Sequence, residues 1–195
     1  MQILSWGFLG IFAFSFLLYL IPFISPAPMF LAGAIAVIYR DYSPLSIGIA
    51  VSAGASIAKM AMYYLTYFAE TALSTEKLNR LMRYGNRIGR WKFVAAFISS
   101  ATPIPDEPVL ISLALLRYSP LRFLLAFFLG KLVIVVPGAY LGKGVRAHLV
   151  RYGIVGDLEA AIISVIFTVV ITVILLKVDL EKLYTKWVQR QERKP

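Results

Sequence analysis

The stretch that most restricts how this chain can fold is Ser99-Ser100-Ala101-Thr102-Pro103-Ile104-Pro105-Asp106-Glu107-Pro108, set between the apolar arms Phe93–Ile98 and Val109–Leu116. Prolines at 103, 105 and 108 remove backbone donors and bar one straight helix from running through. Each arm, at about ten residues and 1.5 Å per residue, spans roughly half of a bilayer core. Two adjacent acids, Asp106 and Glu107, stand at the break. Charge and non-helical backbone survive at membrane depth where they line protein or water. The segment therefore reads as a re-entrant hairpin with its tip at Thr102, Pro103, Pro105 and Pro108. The competing reading is a soluble loop between two short core helices.

Composition favours the membrane. Of the 195 residues 59% are hydrophobic, and the mean hydropathy of +0.77 belongs to a polytopic membrane protein. The net charge of +10 would suit nucleic acid, but most of the basic excess abuts apolar spans, as the positive-inside rule expects. No nucleic-acid partner is expected. The absence of cysteine excludes disulfides and thiol catalysis, and the single histidine, His148, leaves no histidine-based metal site or Ser-His-Asp triad. With no phosphate-cradling glycine loop either, neither an enzyme nor a cofactor is expected. The run Ile3–Ile21 has no basic residues before it and no small-x-small cleavage site after it, so it reads as a retained first transmembrane helix.

Pro22, Pro26 and Pro28 then break the chain before the apolar arm Met29–Ile38, which predicts another hairpin with its tip at Pro26 and Pro28. Ser43–Phe68 is a full span carrying Lys59, and Ala50, Gly54 and Ala58 give it one small face for close packing. In residues 70–92, Leu78, Leu81, Met82 and Ile88 lie opposite Lys77, Arg80, Arg83 and Arg87, the pattern of an interfacial helix or of a solvated loop helix. Trp91 suits the membrane boundary. Ser119–Leu141 is a span holding Lys131 and Pro137, with a kink expected at the proline and a small contact surface at Gly138 and Gly142. A basic loop, Lys143–Tyr152, leads to a last span, Gly156–Val178, and a charged tail from Asp179.

The two halves repeat. Ser25-Pro26-Ala27-Pro28 matches Thr102-Pro103-Ile104-Pro105 at an offset of 77, and Tyr42-Ser43-Pro44-Leu45 is identical to Tyr118-Ser119-Pro120-Leu121 at an offset of 76. Gly54 and Gly130, and Tyr64 and Tyr140, also pair at 76. Placing the 70–92 segment and the tail in the cytoplasm puts fourteen Lys and Arg inside and four outside, with Lys59 and Lys131 within the spans. That solution dips one hairpin in from each side. The expected fold is an all-α polytopic membrane protein of 195 residues in one domain. It is an inverted repeat (22–68 and 93–142) of hairpins, each followed by a transmembrane helix, with further spanning helices at the N- and C-terminal ends.

Asp106 and Glu107 at bilayer depth need a partner, and Lys131 is the best candidate, with Lys59 one turn away in the repeat alignment on a similar face. The functional reading is that the lysines attract a lipid phosphate while the carboxylates relay charge; the alternative is a structural buried ion pair. Ser99, Ser100 and Thr102 supply hydroxyls to backbone groups freed at the hairpin. Arg117 and Arg122, where the hairpin leaves the membrane, are either headgroup clamps at an entrance or topology signals.

At Thr102-Pro103-Ile104-Pro105-Asp106-Glu107-Pro108, Arg117-Tyr118-Ser119 and Gly130-Lys131 the chain resembles the DedA/VTT (SNARE-associated Golgi protein-like) membrane proteins, the archaeal branch most of all. The likeness covers roughly residues 22–142. Pro28 stands where that family often has a glutamate. Ser100 and Asp106 stand where the bacterial F-x-x-R-F-x-P-x-x-R pattern has arginines, while Phe97 and Pro103 keep it. The resemblance implies two opposed re-entrant hairpins in a prokaryotic cell membrane. It also implies translocation of phospholipid or polyprenyl phosphate between leaflets, in bacteria linked to the proton gradient. Membrane lipids are thus the expected partners. A small-solute or ion transporter and a non-transporting assembly factor are the other classes the residues allow.

Overall fold

A computed structural model describes residues 7–21, 28–68, 91–102 and 106–153, with single residues from 156 to 170. The tip residues Pro26, Pro103 and Pro105, the basic segment 70–90, most of the last span and the tail lie outside the described residues.

All regular structure among the described residues is helical. In order, the elements are α1 (Gly7–Leu20), α2 (Pro28–Ile38), α3 (Pro44–Phe68), α4 (Lys92–Ala101), α5 (Glu107–Leu115) and α6 (Pro120–Arg151). Prolines open four of them. Pro28, Pro44 and Pro120 are first residues and Pro108 is second, positions where a missing N–H costs nothing because no carbonyl waits for it. Ser43 adds a cap, its Oγ accepting from the Ser46 N–H at 3.1 Å.

Among the described residues two helices are long and apolar enough to cross a membrane, Pro44–Phe68 and Pro120–His148. The arms α2 and α5, of 11 and 9 residues, are far shorter. At 1.5 Å per residue they reach about 16 and 13 Å, roughly half of a hydrocarbon core. The described part of the first apolar run, α1, has 14 residues and also falls short of a full span. The expected loop at Lys143–Tyr152 is instead the last two and a half turns of α6, which runs through Pro137 and on to Arg151. Nothing in Lys143–Arg151 breaks a helix except the small residue Gly144, and helix-forming Arg146, Ala147 and Leu149 outweigh it.

The six helices pack in a crossed pattern. Within each half the first short helix lies on the long helix of that half: α1 on α3 and α4 on α6. Across the halves the arms exchange, α2 packing on α6 and α5 on α3, while α3 and α6 pack on one another. Glycines permit the close approaches. A Cβ at Gly54 would strike Phe12 O and Phe16 N of α1, and one at Gly130 would strike Phe97 O of α4 and the Ser100 hydroxyl. These two glycines are the pair matched at an offset of 76, so α1 occupies in the first half the place of α4 in the second. Gly33 of α2 meets Gly138 and Gly142 of α6, where the two backbones touch. The predicted small faces are therefore where the helices meet.

The ends are tied crosswise as well. Lys143 Nζ of α6 donates to Arg40 O at 2.9 Å and to Tyr42 O, in the loop after α2. Tyr63 of α3 donates its hydroxyl to Tyr118 O, in the loop after α5. Tyr42 and Tyr118 are equivalent residues of the repeat, so each repeated loop is held by the long helix of the other half.

Two apolar cores result. One gathers Ile11, Tyr19, Ile35, Ile47, Val51 and Val135; the other gathers Tyr63, Leu110, Leu113, Phe123 and Phe127. Along α3 the change from one to the other falls between Ala58 and Met60, and along α6 between Phe127 and Ile134. Lys59 and Lys131 sit at that seam.

Candidate functional site

The seam holds four charges out of solvent. Lys59 is 0% exposed, and Lys131, Asp106 and Glu107 are all below 5%. The helices that carry them explain the meeting. Pro108 is the second residue of α5, after Asp106 at the N-cap and Glu107 at the first position, and α5 lies on α3. Lys59 points from α3 at the two acids, with Nζ 2.9 Å from Asp106 Oδ1 and 2.7 Å from Glu107 Oε1. Lys131 comes from α6, with Nζ 3.2 Å from Asp106 Oδ2. Asp106 is thus shared, one oxygen to each lysine.

Aromatic faces complete the shell of Lys131, with the Phe127 ring centroid 5.0 Å and the Tyr19 centroid 5.4 Å from its Nζ. A cation this far out of water gains from such faces. Ser15 on α1 and Ser52 on α3 are also buried, and their hydroxyls have no hydrogen-bond partner among the described residues.

The arrangement brings together all four charged residues expected from the sequence. It changes their ranking: Lys59 is the principal partner and holds both acids, whereas Lys131 holds Asp106 alone. It also changes their electrostatics. Two ammonium groups face two carboxylates, so among the described residues both lysines are paired. The acids neutralise the lysines because a lone charge at this depth costs several kcal/mol.

The hydroxyls of Ser99, Ser100 and Thr102 return to their own helix. Ser99 Oγ donates to Ala96 O at 3.0 Å, Ser100 Oγ to Phe97 O at 2.9 Å and Thr102 Oγ1 to Ile98 O at 3.0 Å. These bonds run back to carbonyls one turn earlier, and Thr102 Oγ1 also reaches Ser99 O at 3.3 Å, the carbonyl that Pro103, four residues on, cannot serve. Ser112 Oγ does the same for Pro108 O at 2.7 Å in α5. Of the other tip residues, Pro28 is buried at the start of α2 and Pro108 lies in the first turn of α5.

Arg117 and Arg122 are exposed, away from the four charges. Arg117 takes a left-handed φ of 50°, closing α5: its N–H bonds Ala114 O at 2.9 Å and the Tyr118 N–H bonds Leu113 O at 3.0 Å. Its guanidinium lies 5.3 Å from the Tyr67 ring centroid. Sequence reasoning missed Tyr19, Tyr63 and Lys143. Tyrosine in an apolar run and lysine at its end are ordinary, and only the crossing of the halves gives them roles.

Among the described residues, no group of three or more His, Cys, Asp and Glu could hold a metal ion. The chain matches no family model, no curated protein and no solved structure.

Proposed function

We propose that this chain is an integral membrane protein that moves phosphate-bearing lipid headgroups, of phospholipid or polyprenyl phosphate, between the leaflets of a prokaryotic cell membrane. One observation carries the reading: a cluster of four buried charges where the half-length arm α5 meets the two membrane-length helices α3 and α6. Polarity runs inside out around it. Leu121, Leu125, Leu129 and Val133 form an exposed apolar stripe down α6 while the ions face inward, the distribution expected where lipid is the solvent.

In this reading residues 22–38 and 93–116 form re-entrant hairpins entering from opposite faces, the run Ile3–Ile21 and the last span cross the membrane, and both termini are cytoplasmic. Each hairpin leaves a headgroup only half a bilayer to travel before it reaches the lysines. The acyl or prenyl tails stay in lipid, and Arg117 and Arg122 meet headgroups at one mouth. The crossed packing of equivalent helices and the residues shared with DedA/VTT hairpins support it.

Reconstitution decides it. Pure protein in liposomes carrying a leaflet-specific headgroup reporter is expected to speed exchange above that of protein-free liposomes, and Lys131→Gln to slow it. Exchange no faster than in empty liposomes, for both phospholipid and polyprenyl phosphate, rejects the translocase and leaves a solute transporter as the reading to test.

A further inference from the structure

Among the described residues Lys59 faces two carboxylates while Lys131 faces one, and these four charges cancel. A phosphate monoanion brought to this site makes three anions against two cations, and an unbalanced buried charge costs several kcal/mol. The balance is kept only if one carboxylate leaves as the phosphate arrives. Asp106 is the wrong one to leave, because each of its oxygens lies on a different lysine and its departure uncovers both. Glu107 differs. If it swings off Lys59, that lysine keeps Asp106 at 2.9 Å and Lys131 keeps it at 3.2 Å. Glutamate also has one more rotatable bond than aspartate, so it can leave without moving the start of α5.

We propose that Glu107 is a built-in stand-in for the ligand's phosphate: it occupies Lys59 between ligands and exchanges with a phosphate monoanion when one enters. The inference rests on the phosphate-headgroup reading above. No heavy-atom bond changes: one anion replaces another on Lys59, and Glu107 takes up one proton from water as it leaves, so the two lysines, Asp106, the phosphate monoanion and the neutral Glu107 sum to zero. Its consequence has an unusual sign. A residue that merely holds an ion-pair network together supports binding, and its loss weakens stability and affinity alike. A stand-in competes with the ligand, so its loss strengthens binding.

The test uses the full-length protein in detergent micelles, titrated calorimetrically in two arms, with inorganic phosphate and with dihexanoyl phosphatidic acid. Glu107→Gln is expected to bind about tenfold tighter than the unmodified chain, as suits removal of one charge from a buried ion site. Glu107→Asp, whose shorter side chain reaches Lys59 less well, is expected to fall between them, and Lys59→Gln to lose binding. Tightening in both arms makes phosphate itself the ligand, and tightening only in the second adds a need for the lipid. In the unmodified chain, added probe is expected to shift a carboxylate stretch in the infrared difference spectrum, a readout that needs no variant. Equal or weaker binding by Glu107→Gln, or an unshifted carboxylate band on binding, overturns the exchange while leaving the phosphate site standing. No binding by the unmodified chain or by Glu107→Gln removes both.

Discussion

At the scale of single residues, the chain's few interior charges are worth more than their number because each is a partner to another. Removing one member of a buried pair leaves an uncompensated charge at a cost of about 3–5 kcal/mol, whereas removing both is often close to neutral. Asp106→Ala strips Lys131 of its carboxylate, and Lys131→Ala frees one oxygen of Asp106. Together they leave Lys59 and Glu107 paired at 2.7 Å. The double variant is therefore expected to melt above the temperature that the two single losses predict when summed. Thermal unfolding of the four proteins in one detergent gives the cycle, and additive losses would mean that the 3.2 Å contact carries no energy. That the acids need lysines was legible from the sequence, because carboxylates in an apolar run have few ways to exist. Which lysine takes which oxygen was not, because Lys59 and Lys131 stand one turn apart in the repeat and only the seating of α5 on α3 decides.

Among elements, what could be read in advance was where helices start, break and touch. Prolines marked the starts of α2, α3, α5 and α6, and the small residues at 54, 138 and 142 marked the contacts. The length of α6 escaped, because a basic run looks like a loop while its backbone remains free to stay helical. Glycine context separates the tight contacts from the loose ones. At Gly142 a Cβ would collide with the Gly33 backbone, whereas at Gly144, two residues on in the same helix, it would meet nothing within 4 Å. Gly142→Val is expected to destabilise the protein by several kcal/mol, since backbone rather than a side chain must move. Gly144→Ala is expected to stabilise it by up to about 1 kcal/mol through lower backbone entropy in the unfolded chain. Melting temperatures that move together at the two sites would contradict the α2–α6 contact.

For the whole molecule, the repeat and the charge asymmetry together predict an orientation, and the contacts say which loops share an end. Lys143 reaches the loop at Arg40 and Tyr42, so Asp41 and the end of α6 lie at one end of the molecule. Arg117 over Tyr67, and Tyr118 bonded to Tyr63, mark the other. Single cysteines at Asp41 and His148 in the native membrane are expected to react with an impermeant thiol reagent from outside. Those at Asn86 and Gln191 are expected to react only after the inner face is opened. Labelling of Asp41 and Asn86 from the same face would end the opposed-hairpin arrangement. What the sequence could not reveal at this scale was the exchange of arms, because hydrogen bonds such as Lys143 to Arg40 join residues 103 apart with no local signal at either end.

That exchange has a consequence in time. The arm around Gly33 rests on Gly138 and Gly142, which leave the ribosome roughly a hundred residues later, a wait of roughly 5–20 s at about 5–20 residues per second. Until then the first arm has no seat, and its small-residue face stands uncovered. A chain stopped after Phe68 never acquires that seat. Each half is the other's scaffold, so assembly can be completed only once the second half has been made.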